Sequence, residues 1–420
     1  MTTFQLAAIV LSLTAGLAYV NARVLRLPAS VGLMATALVG SIALLGLDAA
    51  GVLDVTARAR ALVAQLDFAN TLLHGMLGLL LFAGALHIDL ADLGAEKVAV
   101  GLLALGGTLA SAALVGVAAH LTLHLVGHDL PWIDALLFGA LIAPTDPIAV
   151  LGMLKSAGAP RRLEIRIAGE SLFNDGVGVV IFTVLLAIAS GHGATWTDAV
   201  ALFAREALGG AAFGLAGGYL TLRLVRTIDD YSVEVLLTLT LVVAGYAAAE
   251  WLHVSAPIGA VVAGLVVGNH ARAAMSEQTR AHVDLFWRLI DEILNAVLFL
   301  MIGLAIMVVP VSRAVIGAAA VAVPLVLGAR WLSVAAALGI LPSIRRAIPH
   351  SIAILTWGGL RGGLSIAMAL ALPPGDARDV ILVMTYAVVA FSILIQGLSF
   401  GRLLRALGVG GGSAAGAAGR

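Results

Sequence analysis

Apolar runs of about 20 residues, parted by short stretches of charge, Pro and Gly, recur along the whole chain. Thirteen can be marked, at approximately 4–21, 29–47, 69–86, 98–125, 132–154, 164–190, 200–224, 233–251, 254–269, 284–308, 313–340, 349–372 and 380–400. They are continuous and rich in Ala, Leu and Gly, with no ten-residue alternation, so they predict spanning α-helices and argue against a membrane β-barrel. Polar residues interrupt spans 5, 6 and 12. The first run lacks the basic flank and small-residue cleavage pattern of a removable signal, which predicts that it is retained.

Composition agrees with a lipid solvent: of 420 residues 61% are hydrophobic and 11% charged, against about 45–50% and about 25% in soluble domains. Lys+Arg 24 and Asp+Glu 24 cancel, and no basic stripe takes the place of a net field, which excludes nucleic acid as a partner. The absence of Cys excludes disulfides, thiolate metal sites and cysteine nucleophiles.

Thirteen spans put the two termini on opposite faces and assign every loop to a side. With the N-terminus outside, seventeen Lys/Arg fall on inner loops, among them Lys97, Lys155, Arg161, Arg162, Arg166, Arg272, Arg345, Arg346 and Arg420. Only Arg58, Arg60, Arg313 and Arg378 fall outside, and Arg205, Arg330 and Arg361 remain for the bilayer. That bias favours a cytoplasmic C-terminus.

Short motifs recur seven spans apart. Pro28–Gly32 and Gly40 in span 2 reappear as Pro257–Gly259 and Gly268 in span 9; Leu81-Phe82-Ala-Gly84 in span 3 reappears as Leu298-Phe299 with Gly303 in span 10. An odd offset inserts the copies in opposite directions, which is the inverted-topology repeat of secondary transporters. The interruptions obey the same offset: Ala143-Pro-Thr-Asp146-Pro147 in span 5 and Gly358-Gly-Leu-Arg361-Gly-Gly363 in span 12. Pro removes a donor and Gly weakens the helix, so both spans are expected to unwind near mid-membrane and cross. The predicted layout is an all-α polytopic membrane protein in one domain. Its first repeat covers about 1–190, a linker helix about 200–224 and a second repeat about 233–405; 406–420 form a flexible Gly/Ala tail.

A charge at the bilayer centre costs at least about 2.5–3.5 kcal/mol, so each persistent one is a functional candidate. The acids well inside spans are Asp146, in the break of span 5, and Glu170 and Asp175 in Gly169-Glu-Ser171-Leu-Phe-Asn174-Asp-Gly176 of span 6. Pairs 170/174 and 171/175 share one helical stripe, while Gly176 and Gly178 admit a close neighbour. Carboxylates of Asp146 and Asp175, the Ser171 hydroxyl and carbonyls freed near Thr145 suit a hard cation, with no His or Cys nearby in sequence to suggest a softer metal. Desolvated carboxylates close together bind protons as well as cations, and competition for one site is a mechanism of exchange. Arg330 in span 11 and Arg361 in span 12 are the strongly basic candidates for pairing with Glu170. A pair with Arg330 would lock span 6 to span 11 and leave Asp175 free to titrate.

These segments resemble the monovalent cation/proton antiporters, the family of the prokaryotic NhaP proteins and the animal and plant sodium/proton exchangers. The resemblance rests on Ala143-Pro-Thr-Asp146-Pro147, Gly169-Glu-Ser-Leu-Phe-Asn174-Asp175-Gly-Val-Gly178, Phe286-Trp287 with Asn295-Ala-Val-Leu-Phe299, and Trp357-Gly-Gly-Leu-Arg361-Gly, and it covers nearly the whole chain. It implies a core domain of crossing broken helices moving against a dimer domain, a homodimer, no cofactor, and Na+ or Li+ exchanged for H+. By resemblance, Asp175 is the cation and proton carrier; Thr145, Asp146 and Ser171 help to coordinate the ion; Glu170, Asn174 and Arg330 stabilise the core. The Asn174-Asp175 pair implies electroneutral exchange. The short segment after span 13, without a long regulatory tail, points to a prokaryotic inner-membrane transporter.

His120, His124 and His128 recur every four residues at the outer end of span 4, where an interfacial face accounts for them better than a metal stripe. Trp132, Trp251, Trp287 and Trp331, near span ends, are expected to anchor at the interface, and Arg205 with Glu206 to reach the headgroups. Three rival functions are weaker. An intramembrane aspartyl protease would place Gly-x-Gly before its second aspartate, whereas here Gly-Val-Gly178 follows Asp175. A sodium-coupled solute symporter would need a roomy substrate cavity besides the ion site. In a channel, a site that holds a proton would impede flow.

Overall fold

The computed structural model describes residues 2–50, 56–125, 129–190, 196–309, 313–340 and 348–409, and every regular element among them is helical. Arg345, Arg346, His128, Arg420 and most of the 406–420 tail lie outside the described residues. Among the described residues, nine helices are long and apolar enough to cross a membrane. Helical segments also occupy the four other predicted positions: the shorter Ala256–Val266, the more charged Glu277–Ala305, and two interrupted helices at spans 5 and 12.

The interruptions fall where Pro and Gly place them. Trp132–Ile142 ends before Ala143-Pro144, and the chain resumes as Ile148–Ala157. Ser351–Trp357 ends at Gly358, and the chain resumes as Gly363–Leu370. Span 4, by contrast, begins earlier than its hydropathy suggests. Helix starts at Leu90, where the Asp89 carboxylate caps the backbone N–H of Ala91 and Asp92 (2.7 and 3.2 Å), and continues through a π-helical turn at Leu102–Gly107 to Leu125. Glu96 can sit inside it because Arg166, assigned to a loop on sequence grounds, is itself buried and meets Glu96 at 2.6 Å. Each buried charge thus compensates the other between the two helices.

Helix Thr108–Leu125 packs closely on Trp132–Ile142, the first half of the broken helix. A Cβ on Gly139 would stand 2.0 Å from the Ala112 carbonyl oxygen and 2.9 Å from the Gly116 nitrogen, so the contact is backbone against backbone. The same core continues through Phe82 and Trp287, whose rings lie 4.6 Å apart. Trp287 is no interface anchor: it is fully buried, and its indole N–H donates to Thr238 Oγ1 at 3.0 Å. The polar edge that a membrane-interface Trp would hold in water is here satisfied by the next helix. Trp132, Trp251 and Trp331 do stand exposed. His120 stacks on Trp132 and contacts the Leu130 carbonyl, and exposed His124 pairs with Asp129 at 2.6 Å. Arg205 donates to the Leu252 carbonyl, an end-of-helix tie that accompanies its exposed position.

Gly139→Val is expected to lower the thermal unfolding midpoint in detergent by the equivalent of about 1–3 kcal/mol, the usual cost of overpacking. Gly152→Ala, where an added Cβ meets nothing within 4 Å, is the comparison and should leave the midpoint nearly unchanged.

Candidate functional site

The two breaks meet and are joined through the backbone. The Asp146 N–H donates to the Leu360 carbonyl at 2.8 Å. Arg361, buried, sends Nη1 to the carbonyls of Ala143 and of Pro144 (2.8 Å for the latter). The freed carbonyls at the C-terminal end of one half-helix are therefore satisfied by a cation carried on the other break, where the helix dipole also favours positive charge. Arg330 serves the second break in the same way. Its Nη2 donates to the Leu355 carbonyl at 3.1 Å, and its Nη1 forms an ion pair with Glu170. Of the two arginines that could have paired with Glu170, Arg330 does so.

Helix Arg161–Ala189 forms the facing wall. Its stripe of polar residues comes to the first break: Asn174 Oδ1 accepts from the Thr145 N–H at 3.2 Å, Asn174 Nδ2 donates to Thr145 Oγ1 at 2.8 Å, and the Thr145 and Ser171 hydroxyls share a 2.9 Å hydrogen bond. Asn174 thus clasps Thr145 from both sides. The helix can come this close because residue 178 is Gly; a Cβ there would lie 2.3 Å from Pro144 Cγ. Gly176 admits Ile258 in the same manner.

A cavity of about 380 Å³ reaches this junction. Thr145, Asp146, Ser171 and Asp175 line its inner part, and Lys155, Arg161 and Glu164 line it at the ends of their helices, where Arg161 is exposed. Asp146 accepts the N–H of Ile148 at 3.0 Å, capping the second half-helix. Among the described residues no hydrogen bond reaches the Asp175 carboxylate, although the cavity does. Hard oxygens from two aspartates and two hydroxyls around a half-buried cavity can hold a small cation or a proton. Every site residue expected from sequence is therefore in this neighbourhood, in two layers: Thr145, Asp146, Ser171 and Asp175 at the cavity, with Glu170, Asn174, Arg330 and Arg361 behind them.

Asp291 escaped the sequence reading. It lines the same cavity from helix Glu277–Ala305 and accepts a hydrogen bond from Asn295 Nδ2 at 3.0 Å. The signal was its i,i+4 spacing to Asn295, masked by Arg288 and Glu292 beside it and by the charges that open this helix.

A many-spanning helical protein with two interrupted helices crossed at a polar cavity is a membrane-embedded secondary transporter, not an enzyme. Comparison with known proteins agrees and is more specific. The family profile described as sodium/hydrogen exchanger, transmembrane, matches residues 9–406. The chain belongs to this family of Na+/H+ antiporters. It is 50% identical over 412 residues to the Na+/H+ antiporter NhaP of Pseudomonas aeruginosa, covering 97% of each chain. It is 35% identical to the Na+/H+ antiporter NhaH of Halobacillus dabanensis, covering 92% of this chain and 94% of that one. The structure of the sodium proton antiporter MjNhaP1 of Methanocaldococcus jannaschii superposes with a TM-score of 0.76 at 18% identity, over 95% of this chain and 97% of the other, and shows the same fold.

Glu170→Gln should cost stability before it costs selectivity, because it leaves the Arg330 guanidinium buried without its counter-charge. The expected loss is about 3–5 kcal/mol, read as a lowered unfolding midpoint, with the ratio of Na+ to Li+ transport in the surviving protein unchanged. A wild-type midpoint in this variant would contradict the role given to the pair.

Proposed function

We propose that the chain exchanges Na+, or Li+, for H+ by alternating access, with cation and proton competing for Asp175 and Asp146. The observation that carries the reading is Asp175, which lines the cavity and whose carboxylate has no hydrogen bond among the described residues. Asp146 is engaged as the cap of Ile148–Ala157, which leaves Asp175 as the exchanging group. When Na+ arrives, Asp175 gives up its proton to water in the cavity and takes the cation, aided by Asp146, Ser171 Oγ and the oxygens of Thr145. When a proton returns, the cation leaves. Asn174 beside it is neutral, so one Na+ replaces one H+ with no net charge moved.

Glu170 with Arg330, and Asn174 with Thr145, hold the ligand helix against the breaks; Arg361 holds one break to the other. We read the cavity as open to the cytoplasm: thirteen spans with the N-terminus outside and the C-terminus inside put Lys155 and Arg161 on that face. The repeats at about 1–190 and 233–405, linked by the helix at about 200–224, would each contribute to both of two interleaved subdomains, a moving core and a dimer domain. A homodimer in the prokaryotic inner membrane completes the proposal.

In proteoliposomes with an imposed pH gradient, added Na+ should collapse the gradient in the wild type and leave it standing with Asp175→Asn. Retained exchange in that variant would remove Asp175 from the role. Competition carries its own sign: lowering the pH should raise the apparent KM for Na+ and leave the rate at saturating Na+ nearly constant. Electroneutral exchange predicts the same initial rate with and without an imposed membrane potential, and strong voltage sensitivity would overturn it.

A further inference from the structure

A second cavity, of about 330 Å³, lies further along the same helices that wall the first. On helix Glu277–Ala305 the Asp175 cavity is lined by Asp291 and Leu298, and the second by Met301 and Ala305. On the continuous helical run from Phe68 to Leu86 the chain order is reversed: Phe68 and Ala69 line the second cavity, Leu72 and Leu80 the first. The half-helix Gly363–Leu370 gives Leu364 to the first and Leu370 to the second. The two cavities therefore open toward opposite ends of these helices.

What parts them is thin and apolar. From Ala69 to Leu72, and from Leu298 to Met301, is less than a turn of helix, about 4.5 Å at about 1.5 Å per residue. Phe68, Leu72, Leu298 and Met301 are buried in one apolar core, and Gly363–Leu370 packs on all three segments that carry them. The half-helix presses close because residue 363 is Gly: a Cβ there would lie 2.3 Å from Leu298 Cδ1.

The inverted repeat relates the cavities residue by residue. The offset that carries Leu81-Phe82 onto Leu298-Phe299 carries Gly84, Ile88, Arg161 and Ile165 onto Met301, Ala305, Arg378 and Leu382. The first four line the Asp175 cavity and the second four line the other. Arg161 opens the helix that follows one second half-helix, Ile148–Ala157. Arg378, in the first turn of Asp376–Phe391, follows the other and donates to its Leu370 carbonyl at 3.0 Å. Copies inserted in opposite directions place equivalent residues at opposite faces of the membrane.

We propose that the second cavity is the closed far end of the ion path, and that Phe68, Leu72, Leu298 and Met301 form the apolar seal that parts to join it to Asp175. It rests on the reading of Asp175 as the exchanging carboxylate under alternating access. The seal stops a hydrated cation because none of its side chains can replace the water the ion would lose. A slide of Gly363–Leu370 past it by one turn, about 5 Å, exchanges the cavity that reaches the breaks.

The chain has no Cys, so single cysteines can be probed without background, using a membrane-impermeant cationic methanethiosulfonate on right-side-out and inside-out membrane vesicles. Ala69→Cys and Leu80→Cys, on one helical run, should react from opposite faces; reaction of both from the same face would overturn the assignment. Labelling Ala69→Cys, or Val308→Cys in the same cavity where the first variant does not fold, should abolish Na+-driven collapse of a pH gradient in proportion to the labelled fraction. Full exchange after complete labelling would remove the cavity from the path. Adding Leu72→Ala and Leu298→Ala to Ala69→Cys, or Leu72→Ala alone where the pair does not fold, should let the thiol react from both faces. Continued reaction from one face only would overturn the seal. Absence of exchange in the unlabelled wild type would instead refute the functional reading beneath the proposal.

Discussion

A helix cannot be opened inside a membrane unless the backbone groups it frees find partners within the protein. Most of this site follows from how that requirement is met. Prolines and glycines open two helices, and the carbonyls released at Ala143, Pro144, Leu355 and Leu360 are taken up by Arg361, Arg330 and the Asp146 N–H. Arginine suits this task because its fork of donors spans several acceptors and its charge offsets the negative ends of two half-helices. One buried guanidinium then requires its own compensation, and Glu170 supplies it for Arg330.

The acidic stretch on helix Arg161–Ala189 therefore divides by depth. Residues 170 and 174 turn inward and bond to the scaffold; residues 171 and 175 come to the cavity. Nearly two turns of polar contact would be costly in lipid, but here Glu170, Ser171 and Asn174 are buried in protein, and Gly176 and Gly178 let Ile258 and Pro144 close over the helix. The glycine positions and the polar positions are two parts of one arrangement: the close approach of Gly178 to Pro144 accompanies the bonds of Ser171 and Asn174 to Thr145.

How much of this could be read from the chain depends on the contrast each residue makes with its neighbours. Asp146, Glu170, Asp175, Arg330 and Arg361 interrupt long apolar runs, and the breaks carry Pro or paired Gly, so both the crossing and the site were legible. Glu96 and Arg166 were not, because each lies among other charges near a helix end and only their contact across 70 residues makes them buried. Trp287 misled for a related reason: position near a predicted end says nothing of whether a neighbouring helix covers it, and Thr238 does. Asp291 was hidden by depth. Its helix begins in charged residues, and hydropathy does not mark which turn leaves water behind. The choice of Arg330 over Arg361 for Glu170 was equally beyond sequence, since it depends on how two half-helices pack sideways.

The bond from the Asp146 N–H to the Leu360 carbonyl has a consequence for how such a protein can diversify. It joins the two halves of the chain at their most exacting point without using a side chain, so no substitution other than Pro at position 146 can delete it. The framework of the crossing is in that respect insulated from the identity of the ligands around it. The side chains proposed as ion ligands at 171 and 175 take no part in that bond, so they can be exchanged while it stays in place. A lineage can retune its cargo through a handful of side chains and inherit the machinery of passage unaltered.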